Sequence, residues 1–108
     1  METQKRIVAI LKERLKDAVE RGRVLSEALK VRADIAAARR RLRLAFAQLG
    51  EEVYTRMKAG QLADPVQDSK LVSMQERIDG LKAEIRLQEA ELRAILQGGI
   101  KSSQEKEE

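Results

Sequence analysis

Apolar residues recur every three or four positions along most of the chain, which is the spacing of one face of an α-helix. Helix-forming residues run without a proline from about Gln4 to Ala59. Gly60 follows, and glycine readily takes the left-handed conformation found just past a helix end. The pattern therefore predicts a long first helix that ends before Gly60.

The segment DPVQ, residues 64–67, carries the signals of a second helix start. Asp64 is suited to cap the helix, Pro65 to occupy its first turn, and Gln67 to reach back as a capping-box partner. We expect the second helix to run from Pro65 to about Gln97, where Gly98 and Gly99 end it. Two helices joined by a short connection fold back antiparallel, so the fold class is all-α, a two-helix coiled-coil hairpin with a long N-terminal extension.

The second helix carries apolar residues spaced alternately by three and four, which is a coiled-coil seam. Its predicted members are Leu71, Met74, Ile78, Leu81, Ile85, Leu92 and Ile95, with one polar interruption at Gln88. The first helix offers a partner seam, predicted as Ile35, Leu42, Phe46, Leu49, Val53 and Met57. With the turn centred near residues 62–63, residue i should face residue 125 − i.

The hairpin uses residues 30–97, with its turn at residues 60–65, and leaves residues 98–108 as a flexible polar tail. Residues 1–29 then lack a partner within the chain, although they are amphipathic. A stripe this long marks an interface, and symmetric self-association is the commonest solution. We predict a homodimer, either antiparallel through residues 1–29 or a four-helix bundle, with these contact residues: Leu11, Leu15, Ala18, Leu25 and Leu29.

Composition supports a helical interaction protein and argues against an enzyme. Charged residues make up 37% of the chain and aromatic residues 2%, a balance typical of coiled coils. Cysteine and histidine are absent, which excludes disulfides and the usual zinc ligands. No carboxylate pair is marked out by an apolar pocket, and we expect no cofactor, no metal and no catalysis. A signal peptide and a membrane span are not indicated, so we expect a cytoplasmic protein.

Positive charge is concentrated in the first part of the chain. Residues 1–60 carry 15 Lys/Arg against 8 Asp/Glu, whereas residues 61–108 carry 7 against 10. Four arginines fall within five positions: Arg39, Arg40, Arg41 and Arg43. Because successive helical residues rotate by about 100°, the first three cannot share a face. We interpret Arg39 with Gln88, and with Glu84 as a further partner, as a device that fixes the register.

Two other functions remain open for these features. Arg40, Arg41 and Arg43 could contact nucleic acid, in which case binding would be phosphate-driven, non-specific and weakened by salt. Against it, aromatic residues for base stacking and a reader motif are missing. The amphipathic N-terminal helix could instead coat a membrane surface or a lipid body, but such helices usually carry Trp or Phe and few acids. We therefore favour a scaffold, spacer or adaptor.

The segment LAFAQLGEEVY, continuing to the KAG that ends at Gly60, is similar to the helical hairpins of small uncharacterised bacterial coiled-coil proteins. The similarity covers about residues 30–96 and depends on these positions: Leu49, Gly50, Val53, Tyr54 and Gly60. Some of those proteins carry a zinc ribbon after the hairpin, and this chain has no cysteines to form one. The resemblance implies a bacterial cytoplasmic protein.

Overall fold

The computed structural model describes the backbone of residues 2–107 and the side chains of residues 2–98. The first helix, α1, spans Glu2–Lys58; a short 3-10 helix spans Pro65–Gln67; and the second helix, α2, spans Ser69–Glu107. The described residues contain no strand. The predicted fold class, an all-α helical hairpin with a long first helix, is confirmed.

Gly60 ends α1 as the sequence predicts. Its φ of 66° lies in the left-handed region. This conformation lets the Gly60 amide donate to the Met57 carbonyl at 3.2 Å and the Gln61 amide donate to the Arg56 carbonyl at 2.9 Å. These two bonds form a Schellman motif, which satisfies carbonyl groups that the last turn would otherwise leave unpaired.

Helix α2 starts later than predicted. Asp64 does act as a cap, because its side chain accepts a hydrogen bond from the Val66 amide at 3.1 Å. It caps the 3-10 helix, however, and the α-helix begins only at Ser69. Asp68 is its N-cap: the carboxylate accepts bonds from the Lys70 amide at 3.0 Å and the Leu71 amide at 3.2 Å. A second capping aspartate four residues after Asp64 therefore moves the start.

Helix α2 also ends later than predicted. Its backbone is helical to Glu107, so Gly98 and Gly99 do not stop it. A glycine ends a helix when it takes the left-handed conformation, and within the described backbone only Gly60 has a positive φ. Most of the predicted tail, residues 98–108, lies outside the residues whose side chains the structure describes.

The chain divides into two compact units, Ala33–Ala90 and Met1–Arg32 with Glu91–Glu108. In the first of these, the covered residues of α1 follow alternating steps of three and four: Ile35, Ala38, Leu42, Ala45, Leu49 and Glu52. The covered residues of α2 follow the predicted seam: Leu71, Met74, Ile78, Leu81, Ile85 and Gln88. Arg41 lies 3.8 Å from Glu84, as the predicted pairing of i with 125 − i requires.

Phe46 differs from its predicted place in this seam. It is 46% exposed, while Ala45 beside it is 5% exposed and occupies the seam position. Val53 is half-buried and Met57 is exposed. At Phe46, Val53 and Met57 the prediction followed the larger apolar side chain, but each of these lies one residue beyond the position that the helix pair covers. The covered positions hold Ala45, Glu52 and Arg56. The Phe46 ring instead has the Lys82 ammonium 5.4 Å from its centroid, at the edge of the helix pair.

In the other unit, Ala28 and Val31 of α1 are buried. Leu92, Ile95 and Leu96 of α2 are half-buried. Burial at these positions marks where the two helices of this unit meet, and Ala28 is only 2% exposed. The residues of α1 before position 17 are exposed throughout the described segment that starts at Glu2.

Candidate interaction surface

The N-terminal part of α1 presents an apolar row to solvent. We call it the outer row; its members are Val8, Leu11, Leu15, Ala18, Gly22, Leu25 and Leu29. All seven are exposed, and the large ones range from 50% exposed at Val8 to 68% at Leu15. The five residues predicted to form an oligomer contact all belong to this row, and nothing in the described chain covers them.

The outer row is a second heptad pattern on the same helix. Its members alternate in steps of three and four, as the buried residues do, but each stands one residue further along. One residue corresponds to about 100° of rotation around a helix. Ala28 at 2% exposure and Leu29 at 55% show this offset directly. Helix α2 therefore covers one row of α1 and leaves its neighbour exposed.

Two apolar residues widen the outer row, and its charged edges are basic. Ile7 and Val19 are 52% and 66% exposed beside it. Lys12 lies on one edge, and Arg14 and Arg21 lie on the other. Long basic side chains can lay their methylene stems along an apolar surface and keep the charge in water. The surface thus combines an apolar centre with a basic border.

The arginine cluster is partly engaged within the hairpin. Arg39 donates to Glu89 at 3.0 Å, and Arg41 lies 3.8 Å from Glu84. Arg40 and Arg43 are exposed. All four are on α1, and two of them point their charge at carboxylates of α2.

The predicted register pair of Arg39 with Gln88 is replaced by another arrangement. Arg39 pairs with Glu89, the next residue along α2. The Gln88 amide instead donates to Glu84 of its own helix at 3.4 Å. Its carbonyl oxygen is buried without a partner, which is a cost that an apolar residue would avoid. The Arg39–Glu89 and Arg41–Glu84 ion pairs connect the two helices at largely exposed positions, where such pairs add little stability.

A cluster of four charged residues closes the hairpin next to the turn. The i,i+4 spacing of Glu52 and Arg56 predicts one of its pairs, but its contacts across the two helices were not predicted. Arg56 donates to Glu52 at 3.0 Å and also to Asp68 across the helix pair. Lys70 lies 3.3 Å from the second oxygen of Glu52. The signal was present in the sequence: Glu52 continues the seam spacing from Ala45 and Leu49, at a position where an apolar residue is expected.

The cluster lowers the pKa of Glu52 from its ordinary value of 4.5. The hydrogen bond from Arg56 is the largest cause, followed by the hydrogen bond from Lys70, and both favour the charged carboxylate. Partial desolvation acts in the opposite direction and is outweighed. The cluster is therefore a structural ion-pair network that holds the start of α2 against the end of α1.

Neither a metal centre nor a membrane-spanning helix is found among the described residues. Among the residues that the structure describes, no group of three or more acidic, histidine or cysteine side chains is placed to hold a metal ion. The described helices also include none that is both long and apolar enough to cross a membrane.

Comparison with known proteins gave no match to any family model, curated protein or solved structure.

Proposed function

We propose that this chain is a non-enzymatic coiled-coil interaction protein that binds a second copy of itself through the outer row of α1. In this proposal the N-terminal segment supplies the contact between the copies. Such a protein would act as a scaffold, spacer or adaptor. The proposal places it in the bacterial cytoplasm, as the resemblance of residues 44–60 implies.

The observation that carries the proposal is the exposure of the outer row on a formed helix. Five large aliphatic side chains at heptad spacing are each half exposed or more. Covering an apolar side chain of this size is worth about 1.5–3 kcal/mol when burial is complete. An exposed row with this regular spacing fits a partner helix, because knobs-into-holes packing requires the same spacing.

The nucleic-acid alternative has less support. Of the three arginines predicted to contact nucleic acid, Arg41 already lies 3.8 Å from Glu84 of α2, which leaves Arg40 and Arg43 as the exposed pair. The membrane-surface alternative also has less support, because the outer row contains no aromatic residue and Glu13 and Glu20 lie on the same helix.

Sedimentation velocity of the full chain tests the proposal. We expect the wild-type chain to sediment as a dimer at micromolar concentration, and Leu15→Asp with Leu25→Asp to sediment as a monomer with its helix content retained. The reason is that each chain would bury two carboxylates without a partner in the interface.

A matched control uses two leucines of similar exposure outside the outer row. Leu44 is 58% exposed and Leu87 is 73% exposed. Leu44→Asp with Leu87→Asp should leave the dimer intact. A wild-type monomer, or a dimer that tolerates Leu15→Asp with Leu25→Asp, would refute the assignment of the outer row.

A further inference from the structure

The size of the side chains along the outer row has a definite order. Val8, Leu11 and Leu15 are large, Ala18 and Gly22 are small, and Leu25 is large again. Such a row can pair with the same row of a second copy in either a parallel or an antiparallel orientation. In the parallel reading, Gly22 meets Gly22 and Ala18 meets Ala18, which leaves two thin layers between thick ones. In an antiparallel reading, large residues can face small ones.

Building on the proposed self-association, we propose that two copies pair antiparallel through the outer row, with Leu11 opposite Gly22 and Leu15 opposite Ala18. Val8 then faces Leu25. The Leu11–Gly22 layer and the Leu15–Ala18 layer each contain one leucine and one small residue. The side-chain volumes of these central layers are therefore nearly equal. Equal layers keep two helices at a constant separation and leave few voids, which is the arrangement that packs best.

The hairpin uses the same packing mode within the described chain. Ala38 and Ala45 are buried in the seam of α1 at 0% and 5% exposure. The facing seam of α2 consists of large residues throughout: Leu71, Met74, Ile78, Leu81, Ile85 and Gln88. Small residues of one antiparallel helix therefore face large residues of the other. The outer row has the composition to repeat this arrangement between two copies.

The exposed apolar area is comparable with that of a standard protein interface. Seven large aliphatic side chains are available, the five of the outer row with Ile7 and Val19, and each is half exposed or more. At roughly 100 Å² each, they offer on the order of 700 Å² per chain, close to the area per partner of a standard interface. The contact segment is already helical, so binding does not have to order it.

The basic residues at the borders of the outer row oppose antiparallel pairing only weakly. Antiparallel pairing places Lys12 beside Val19, where the lysine stem can cover the 66% exposed valine. It also places Arg14 of one copy near Arg21 of the other. Both are exposed, and exposed charges interact weakly because water and salt screen them. Packing of the row therefore decides the orientation.

Engineered cysteines test the orientation, since the natural chain has none. The variants are Leu11→Cys and Gly22→Cys, each in the full chain, equilibrated in a glutathione redox buffer alone and as a mixture. A Cβ atom at Gly22 would meet open space within its own chain. We expect the mixture to give a covalent dimer of the two variants as the dominant disulfide product, identified by mass, and each variant alone to give little.

A third variant, Leu29→Cys, checks the register. It faces Leu11 if the antiparallel pair is shifted by one heptad, and preferred crosslinking of Leu11→Cys with Leu29→Cys would overturn the proposed layers. Crosslinking of Leu11→Cys with itself would show a parallel pair and overturn the orientation. A wild-type dimer without any of these crosslinks would do the same. In these three cases self-association itself stands, whereas a wild-type chain that sediments as a monomer removes the proposed function as well.

Discussion

At the scale of single residues, Gly60 is the position where backbone conformation alone dictates the amino acid. A Cβ atom there would meet nothing within 4 Å, so space is not the constraint. The constraint is the φ of 66°, which an L-residue adopts at a cost of about 1–2 kcal/mol.

We expect Gly60→Ala to lower the free energy of unfolding by about 1–2 kcal/mol, measured by urea denaturation at fixed protein concentration. Gly80→Ala is the matched control, because Gly80 is helical and a Cβ atom there also meets open space. This control should raise the free energy of unfolding by about 0.5–1 kcal/mol. Equal effects of both substitutions would show that the Schellman motif does not determine the turn.

We expect Glu52 to make the free energy of unfolding depend on pH in the acid range. The pKa of Glu52 is lowered in the folded chain by its hydrogen bonds from Arg56 and Lys70. A carboxyl group with a lowered folded-state pKa contributes stability above its unfolded pKa, and this contribution is lost as the pH falls through the folded-state value.

The free energy of unfolding should therefore fall less for Glu52→Gln than for the wild-type chain between about pH 5 and about pH 3. Urea denaturation across this range measures the difference. Glu51→Gln, at the exposed neighbouring position, should behave like the wild type. If Glu52→Gln keeps the full acid dependence, the cluster contributes nothing through this carboxylate.

At the scale of the elements, small residues in the seam set how closely the helices approach. Ala38 is fully covered, at 0% exposure. A leucine there would overfill a packed layer. We expect Ala38→Leu to lower the free energy of unfolding by about 1–3 kcal/mol. Ala47→Leu, on the exposed face of the same helix, should change it by less than about 0.5 kcal/mol. Thermal denaturation followed by circular dichroism distinguishes the two, and similar losses would contradict the seam as described.

The elements also show what the sequence can and cannot predict. The seam of α2 was predictable because its spacing is regular and its members are large. The seam of α1 was predicted only in part, since two apolar rows lie one residue apart and alanine gives a weak signal in both. The start of α2 was misplaced because Asp64 and Asp68 are both good caps, and choosing between them depends on the contact of Asp68 with Arg56.

At the scale of the whole molecule, the chain combines a closed hairpin with an exposed apolar row, and this combination carries the proposed function. The outer row was evident from the sequence because its residues have heptad spacing while the chain offers no segment predicted to pair with them. The Arg41–Glu84 ion pair follows from the predicted pairing of i with 125 − i. The partner of Arg39 was harder to assign, because several carboxylates of α2 lie within reach of a long arginine side chain. A difference of one position along α2 separates the predicted partner of Arg39 from the observed one.

The one-residue offset between the two rows of α1 has a consequence for how this protein can change in length. Inserting a single residue shortly after Leu29 would bring the outer row into phase with the seam that α2 covers. Insertions or deletions of seven residues would preserve the distinction between the two faces. Seven-residue steps, made in both helices together, are therefore the increments by which such a hairpin can lengthen or shorten while it keeps one face closed and the other available.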